Sequence, residues 1–141
     1  HTPDGLEKVL PALKPFVKNR LMVLFGCPGE RDPSKRVHMA EAVAKYADYI
    51  ILTSDNPRRE DPVKIIEQAL PGFAGTTVPY EVIPDRYTAI EWGLSHAQPG
   101  DVLVLAGKGH EDYQVLNYGT IHFDEREVVA RLLAEQREKR K

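Results

Sequence analysis

Three short segments of this chain combine glycine with charged and amide side chains, and each directly follows a run of apolar residues. They are residues 26–32 (Gly-Cys-Pro-Gly-Glu-Arg-Asp), residues 54–61 (Ser-Asp-Asn-Pro-Arg-Arg-Glu-Asp) and residues 107–112 (Gly-Lys-Gly-His-Glu-Asp). Guanidinium groups bind carboxylates through paired hydrogen bonds, and carboxylates hold ammonium groups. The segments therefore favour binding of a small charged ligand.

The second segment places an acceptor, an amide, a rigid proline and a guanidinium at Asp55, Asn56, Pro57 and Arg58. This combination is suited to recognising both ends of a zwitterion. The structural alternative is an Asx turn before the proline, with the two arginines paired in water to the two acidic residues that follow them. The local sequence leaves both interpretations open.

The first segment has the composition of a tight turn with cations nearby. Gly26 and Gly29 permit close approach of a ligand to the backbone, and Arg31 with Arg36 could hold an anion near the next helix start. The Gly-x-Gly-x-x-Gly spacing of a dinucleotide site is absent, and a plain structural loop is the alternative.

The third segment resembles a phosphate-binding loop only superficially. A P-loop requires Gly-x-x-x-x-Gly-Lys-Ser/Thr before a helix, whereas a predicted hairpin follows here. Gly107 and Gly109 are better explained by a ligand pressed against the backbone. His110 and Glu111 are candidates for acid/base work, although a structural or ligand-orienting role explains a single His-Glu pair better.

Other catalytic chemistry finds little support in the sequence. The single cysteine, Cys27, and the five histidines show no paired ligand spacing, so we predict no zinc site. No Gly-x-Ser-x-Gly motif is present, and a cysteine in a glycine turn is expected to be a packing residue. We predict no catalytic residue and no metal ligand in this chain.

Composition limits the class of protein. The 141 residues are 42% hydrophobic and 28% charged, and no apolar run is long enough to span a bilayer. The formal charge of -2 gives no overall field that would collect nucleic acid. One cysteine and no charged-then-apolar leader favour a reducing compartment. We expect a soluble cytoplasmic domain that neither inserts into a membrane nor binds nucleic acid.

The distribution of apolar residues predicts alternating strands and helices. Four runs predict strands, at residues 21–25, 49–53, 78–83 and 102–106. Three of these runs are continuously apolar, which is typical of a parallel sheet covered on both faces, while alternation and Pro79 in the remaining run predict an edge strand. Stripes of helical period lie between the runs, at residues 37–47, 63–70 and 89–97.

Turn and capping signals complete the predicted fold. Residues 113–116 and 120–123 flank Asn-Tyr-Gly and predict a hairpin with glycine in its turn. Pro62 behind Asp61 marks one helix start, and Ser34 is expected to cap another. The pattern predicts an α/β, Rossmann-like three-layer domain with a mostly parallel sheet of about six strands and a C-terminal antiparallel hairpin.

Each of the three polar segments follows a predicted strand of this sheet. Ligands of open parallel sheets bind beyond the carboxyl ends of the strands. We therefore expect the three segments to lie along one edge of the sheet.

Taken in order, these segments resemble the C-terminal domain of the Mur ligases, in the branch that adds diaminopimelate. Residues 1–4 are similar to the end of the segment Asp-Tyr-Ala-His-Thr-Pro-Asp, which joins the central ATPase domain to the C-terminal domain. Residues 31–39 resemble the stretch Gly-Gly-Asp-Arg-Asp…Lys-Arg-Pro-x-Met. Residues 55–58 equal the signature Asp-Asn-Pro-Arg, and residues 107–114 equal Gly-Lys-Gly-His-Glu-Asp-Tyr-Gln.

The resemblance implies a part in cell-wall precursor synthesis. The full enzyme uses ATP and Mg²⁺ to convert the D-glutamate carboxylate of a UDP-muramoyl dipeptide to an acyl phosphate, which the amine of meso-diaminopimelate attacks. Residues 1–141 are then expected to be the amino-acid-binding domain, with the UDP-binding and central ATPase domains absent from this sequence. We expect this chain alone to bind no cofactor and to be inactive.

The resemblance also assigns roles to single residues. It implies that Arg31 and Arg58 hold carboxylates of meso-diaminopimelate, and that Asp55 orients its neighbours. His1 would lie in the interdomain hinge near the nucleotide. The expected substrate-binding set is Arg31, Asp55, Asn56, Pro57, Arg58, Gly107 and Glu111. Lysine lacks the second carboxylate, so a guanidinium left without its partner would discriminate against it.

Two alternatives stay open beside this interpretation. A free-standing Rossmann-like nucleotide-binding module would need a glycine fingerprint and an acidic residue placed for ribose, and neither is seen. A small hydrolase using Glu111 or His110 would need a nucleophile or a metal, and the sequence offers no convincing one.

Overall fold

The computed structural model describes residues 3–27, 29, 32–106, 113–116, 119–122, 130 and 133–134. Its central sheet contains four parallel strands in the order β3-β2-β1-β4. The strands are β1 (Leu21–Cys27), β2 (Tyr49–Ser54), β3 (Tyr80–Val82) and β4 (Val102–Leu105). The four predicted apolar runs therefore all form strands of one parallel sheet.

Four α-helices accompany the sheet. They are α1 (Pro3–Leu13), α2 (Ser34–Tyr46), α3 (Pro62–Ala69) and α4 (Arg86–His96). Short 3₁₀ helices follow α1 at Lys14–Phe16 and α3 at Leu70–Phe73. Pro11 lies inside α1, which ends two residues later, as a proline without a backbone N–H favours.

The sheet is covered on both faces, which makes the domain three-layered as predicted. Leu21, Val23 and Phe25 of β1 belong to a core cluster with residues of α1, α2 and α3. The alternate residues Met22 and Leu24 belong to a second cluster with residues of α4. Because successive strand residues point to opposite faces, a strand buried on both faces must be continuously apolar.

The remaining strand, β3, lies at the edge of the sheet, as its alternation and Pro79 predict. All three of its residues are exposed. The ring of Tyr80 packs against that of Phe73, with 4.8 Å between the ring centroids.

The C-terminal strands correct the predicted sheet. β5 (Tyr113–Leu116) and β6 (Gly119–His122) form an antiparallel pair, but within the described residues they make a separate two-stranded sheet. The prediction of a single sheet of about six strands is therefore wrong in its division, although the hairpin is confirmed. An antiparallel pair satisfies its facing backbone groups locally, whereas a parallel strand needs a crossover connection to join. Gly119 pairs with Leu116 inside the ladder and does not lie in the turn.

The structure confirms one of the two predicted helix starts, and it shows a cap at α4 that was not predicted. Asp61 accepts from the backbone N of Val63, with Pro62 as the first residue of α3, as predicted. Asp85 caps α4 by accepting from the backbone N of Thr88 at 3.0 Å. The prediction that Ser34 caps α2 is wrong, because Asp32 accepts from both the backbone N and the hydroxyl of Ser34.

An ion pair between Arg20 and Asp101 joins the amino ends of β1 and β4. Asp101, just before β4, accepts from the backbone N of Arg20 at 2.9 Å and from its Nη2 at 2.7 Å. Arg20 also donates from Nη2 to the carbonyl oxygen of His96 at 3.1 Å. The hydrogen bonds that Asp101 accepts, first of all those from the Arg20 side chain, lower its pKa to about 2.

Within the part of the chain that the structure describes, none of the helices combines the length and the apolar character needed to cross a bilayer.

Candidate functional site

The site begins at the carboxyl edge of the parallel sheet. Cys27 and Ser54, the last residues of β1 and β2, are neighbours in the parallel ladder. On the other side of β1, Leu105 pairs with Leu24, and the backbone N of Ala106 donates to the carbonyl oxygen of Leu24 at 2.9 Å. The first two polar segments therefore start side by side, as predicted, and the third starts after a strand of the same sheet.

The loops after β1 and β2 contact each other through Gly29. Its backbone N donates to the carbonyl oxygen of Asn56 at 2.7 Å, and its own carbonyl oxygen accepts from Nη1 of Arg58 at 3.1 Å. A Cβ at this position would lie 1.9 Å from the carbonyl oxygen of Pro57. The contact therefore requires glycine. It joins the two loops because Gly29 bonds both the backbone of Asn56 and the side chain of Arg58.

Gly26 serves the same junction inside the strand. A Cβ there would lie 2.6 Å from the carbonyl carbon of Ser54 and 2.7 Å from the backbone N of Asp55. Only a residue without a side chain allows β1 and β2 to approach this closely. The glycines of the first segment thus bring loop backbones together, a use that the sequence alone did not distinguish from room for a ligand.

The signature itself is largely inside the protein. Asp55 is 1% exposed and Asn56 is 4% exposed, whereas Arg58 is only partly buried. Arg58 has a backbone φ of 55°, the left-handed region that residues with a side chain seldom adopt. The turn thus buries the acidic and amide residues and leaves Arg58 only partly buried at the edge of the sheet.

Arg36 takes a different role from the one predicted. It is 2% exposed, and its Nη1 and Nη2 donate to the two carboxylate oxygens of Glu60 at 3.1 Å and 2.9 Å. Nη1 also donates to the side-chain oxygen of Gln68. The expectation that Arg36 holds an external anion is therefore wrong, because this guanidinium already binds a carboxylate of the chain itself.

This pair also bears on the structural alternative for the second segment. Glu60 binds Arg36 of α2, and Asp61 caps α3 through the backbone N of Val63. Both acidic residues therefore have partners other than the two arginines beside them in sequence. The segment is anchored to α2 and α3 by its acidic end, while Arg58 turns toward Gly29.

A second buried arginine, Arg86, was missed by the sequence analysis. It is 1% exposed and donates from Nη1 to the carbonyl oxygen of Ser54 at 2.9 Å and from Nη2 to that of Ala106 at 3.2 Å. Its sequence signal is an arginine directly after the capping Asp85, at the start of a helix whose inner face is apolar. Such a signal does not reveal partners that lie 32 and 20 residues away.

Cys27 lies buried beside this edge, at 2% exposure. Burial raises the pKa of its thiol to about 12, with Asp55 adding to the rise and Arg36 opposing it. A thiol kept protonated is a poor nucleophile, so the geometry suits the packing role that the sequence predicted.

Several predicted site residues lie outside the described residues: His1, Arg31, Gly107, His110 and Glu111. Within the described ranges, the structure brings Asp55, Asn56, Pro57 and Arg58 together with Gly29, for which the sequence predicted a tight turn or close approach of a ligand. Among the residues described, no group of three or more histidine, cysteine, aspartate or glutamate side chains is placed to hold a metal ion.

Comparison with known proteins adds a family context. The family model described as "Mur ligase, glutamate ligase domain" matches residues 1–109. A relative from Caldanaerobacter subterraneus subsp. tengcongensis, named "UDP-N-acetylmuramoyl-L-alanyl-D-glutamate--2,6-diaminopimelate ligase", is 53% identical over 135 residues. The match covers 96% of this chain and 28% of that relative, so the chain spans little more than a quarter of the relative's length.

Solved structures show the same similarity. A UDP-N-acetylmuramoyl-L-alanyl-D-glutamate--2,6-diaminopimelate ligase matches with a TM-score of 0.90 at 44% identity, over 97% of this chain and 28% of that one. The folylpolyglutamate synthase of Thermotoga maritima matches with a TM-score of 0.51 at 22% identity, over 73% of this chain and 22% of that one. The second likeness is one of fold alone.

Proposed function

Because this chain belongs to the family of the Mur ligase glutamate ligase domain, we propose that it is the domain that binds and positions the amino acid in a 2,6-diaminopimelate ligase of peptidoglycan precursor synthesis. The observation that carries the proposal is the position of the signature Asp55–Arg58. It stands at the carboxyl edge of the parallel sheet, where ligands of such sheets bind, with Arg58 held against the loop after β1.

The reaction proposed for the whole enzyme is amide formation. ATP and Mg²⁺ would activate the D-glutamate carboxylate of UDP-N-acetylmuramoyl-L-alanyl-D-glutamate, and the amine of meso-diaminopimelate would then attack it. The described residues offer no group of three or more side chains that could hold a metal ion. The chain's own part is to present the amine, in the cytoplasm that its single cysteine favours.

One residue of the signature would contact the amino acid, and the other three support the turn that holds it. Arg58 is only partly buried at the sheet edge, where its guanidinium would hold a carboxylate of the amino acid. Asp55, at 1% exposure, has almost no surface for a ligand and serves to shape the turn. Asn56 is held through its carbonyl oxygen by Gly29, and Pro57 fixes the backbone before Arg58.

The rest of the proposed site comes from the family resemblance. Arg31, two residues after Gly29 in the sequence, would hold another carboxylate. Gly107 and Glu111 would complete the pocket, with the carboxylate of Glu111 on the distant ammonium group. His1 would belong to the hinge that faces the nucleotide.

This arrangement would favour meso-diaminopimelate over lysine. The two amino acids differ at the distal end, where lysine has no carboxylate. A guanidinium desolvated without its carboxylate costs about 1–3 kcal/mol, which corresponds to roughly tenfold to hundredfold weaker binding. The discrimination therefore rests on an arginine and not on the length of the side chain.

Calorimetric titration of this chain with meso-diaminopimelate, L-lysine and ATP tests the proposal. We expect meso-diaminopimelate to bind more tightly than lysine, and Arg58→Ala to remove that preference. Arg59→Ala is the matched control, because Arg59 is the exposed arginine next in sequence. Lysine binding as tight as that of meso-diaminopimelate, or equal binding by the wild-type and Arg58→Ala chains, contradicts the proposal.

A further inference from the structure

Arg86 occupies an unusual place for a charged side chain. It is the first residue of α4 and is 1% exposed. A guanidinium is expensive to remove from water and is retained inside a protein where its donors are bonded. Both hydrogen bonds described above end on backbone carbonyl oxygens, those of Ser54 and Ala106.

These two carbonyls lie at the ends of two strands that are not neighbours in the sheet. Ser54 is the last residue of β2 and Ala106 directly follows β4, while β1 lies between the two strands in the sheet. The ladder hydrogen bonds of the sheet join β2 and β4 each to β1, but they do not join β2 to β4. One guanidinium therefore reaches across β1 and links the carboxyl ends of β2 and β4.

The chemistry of arginine makes this link directional. Its planar fork presents donors at fixed angles, so two bonds from Nη1 and Nη2 set both the distance and the orientation between their acceptors. A lysine ammonium could reach one carbonyl but imposes no such geometry. The identity of the residue at 86 therefore matters beyond its charge.

We propose that Arg86 is a positioning residue for the amino-acid site. It fixes the placement of Ser54, from which the Asp55–Arg58 signature starts, relative to Ala106, which precedes Gly107 in the sequence. The proposal rests on the function proposed above, since the two strand ends that Arg86 joins precede the Asp55–Arg58 signature and residues 107–112 in the sequence, and both were assigned to that site. Arg86 itself contacts no substrate in this scheme and acts through the two strand ends.

Arg20 provides a matched control at the opposite edge of the same sheet. It too is an arginine that joins backbone and strand ends, binding Asp101 before β4 and the carbonyl oxygen of His96. Its bonds lie at the amino ends of β1 and β4, away from the signature. Replacing it should loosen the sheet without moving the site.

The test compares Arg86→Lys with Arg20→Lys in two measurements, below the melting temperature of each. Calorimetry with meso-diaminopimelate should give an affinity about tenfold lower for Arg86→Lys and unchanged for Arg20→Lys, because small misplacements of binding groups are costly. Hydrogen–deuterium exchange should be faster in peptides covering residues 53–59 and 102–106 for Arg86→Lys only. Should Arg86→Lys fail to fold, Arg86→Gln, which keeps an uncharged amide donor, replaces it.

The outcomes separate this inference from the proposed function. Wild-type-like exchange in both peptides of the Arg86 variant overturns the positioning role, as does an equal loss of affinity in both arginine variants. A wild-type chain that does not bind meso-diaminopimelate overturns the proposed function, and the exchange measurement still decides whether Arg86 orders the two strand ends.

Discussion

Arg58 donates a hydrogen bond from its Nη1 to the backbone carbonyl oxygen of Gly29, at 3.1 Å. The same glycine donates from its backbone N to the carbonyl oxygen of Asn56 at 2.7 Å. The loop after β1 thus holds both the backbone and the side chain of the signature that follows β2. Placement of the arginine is therefore a property of two loops together, and changes in the first loop should be felt in the second.

Gly29→Ala should damage stability and binding together. The added methyl group would lie 1.9 Å from the carbonyl oxygen of Pro57, so one of the two loops must shift. We expect the free energy of unfolding to fall by about 1–3 kcal/mol, as for other overpacked sites. We expect affinity for meso-diaminopimelate to fall at least about tenfold, since the shift moves Arg58. Urea unfolding and calorimetry measure the two effects.

Gly75→Ala is the control for this substitution. Gly75 has a φ of 82° but nothing within 4 Å of its Cβ position, so alanine there adds backbone strain without a clash. Stability should fall by about 1 kcal/mol while binding stays unchanged. Equal effects of the two substitutions on binding would show that the contact between Gly29 and the signature is unimportant.

The left-handed backbone of Arg58 predicts an unusual order of stability between two variants. Both Arg58→Ala and Arg58→Gly remove the guanidinium, so both should lose the preference for meso-diaminopimelate. Glycine adopts a φ of 55° without steric penalty, whereas alanine does not. Arg58→Gly should therefore unfold at a higher urea concentration, with a stability advantage of about 1 kcal/mol over Arg58→Ala.

The same two substitutions at Arg59 control for the general effect of glycine. Among the described residues, Arg58 alone has a positive φ without being glycine. At position 59 the flexible glycine should therefore be less stable than alanine, because it loses more conformational freedom on folding. The same order at both positions would show that the φ of Arg58 stores no strain.

The fold was predictable where a pattern of neighbouring residues identifies a strand or a helix start. Continuous apolar residues in β1 and β2 indicate strands covered on both faces, and Pro79 indicates an edge strand. Asp61 with Pro62 marks a helix start by local chemistry alone. These signals depend only on residues that are neighbours in the sequence, and so they can be identified without the structure.

The site was predictable only in part, because its supports are contacts between distant residues. Arg36 has the same sequence signature as an anion-binding arginine, yet it binds Glu60, 24 residues away. Arg86 bonds carbonyl oxygens, which carry no sequence signal at all. The role of Gly29 depends on the approach of Pro57, which follows from the packing of β1 on β2.

Cys27 should be resistant to alkylation in the folded chain. Burial raises the pKa of its thiol to about 12, so at about pH 8 only about one molecule in ten thousand carries the reactive thiolate. We expect iodoacetamide to label the native chain slowly and the chain unfolded in guanidinium chloride rapidly, as mass spectrometry can follow. Rapid labelling of the native chain would contradict a packing role for Cys27.

The ion pair between Arg20 and Asp101 should make stability fall in acid. Hydrogen bonds from the Arg20 side chain, with smaller contributions from backbone N–H groups, lower the pKa of Asp101 to about 2, whereas an unfolded aspartate titrates near about 3.9. The Asp101 carboxyl group thus binds a proton less tightly in the folded state than in the unfolded state. The contribution is complete above about pH 5 and is lost as the pH falls toward about 2.

A double-mutant cycle of Arg20→Met and Asp101→Asn measures this contribution directly. The Asp101 side chain is 1% exposed in the ion pair, so the coupling free energy at neutral pH should be about 1–3 kcal/mol. The coupling should decline between about pH 5 and about pH 2 as Asp101 takes up its proton. Urea unfolding of the four chains across that range provides the values. A coupling that stays constant over the range would mean that the carboxylate is not the group that Arg20 stabilises.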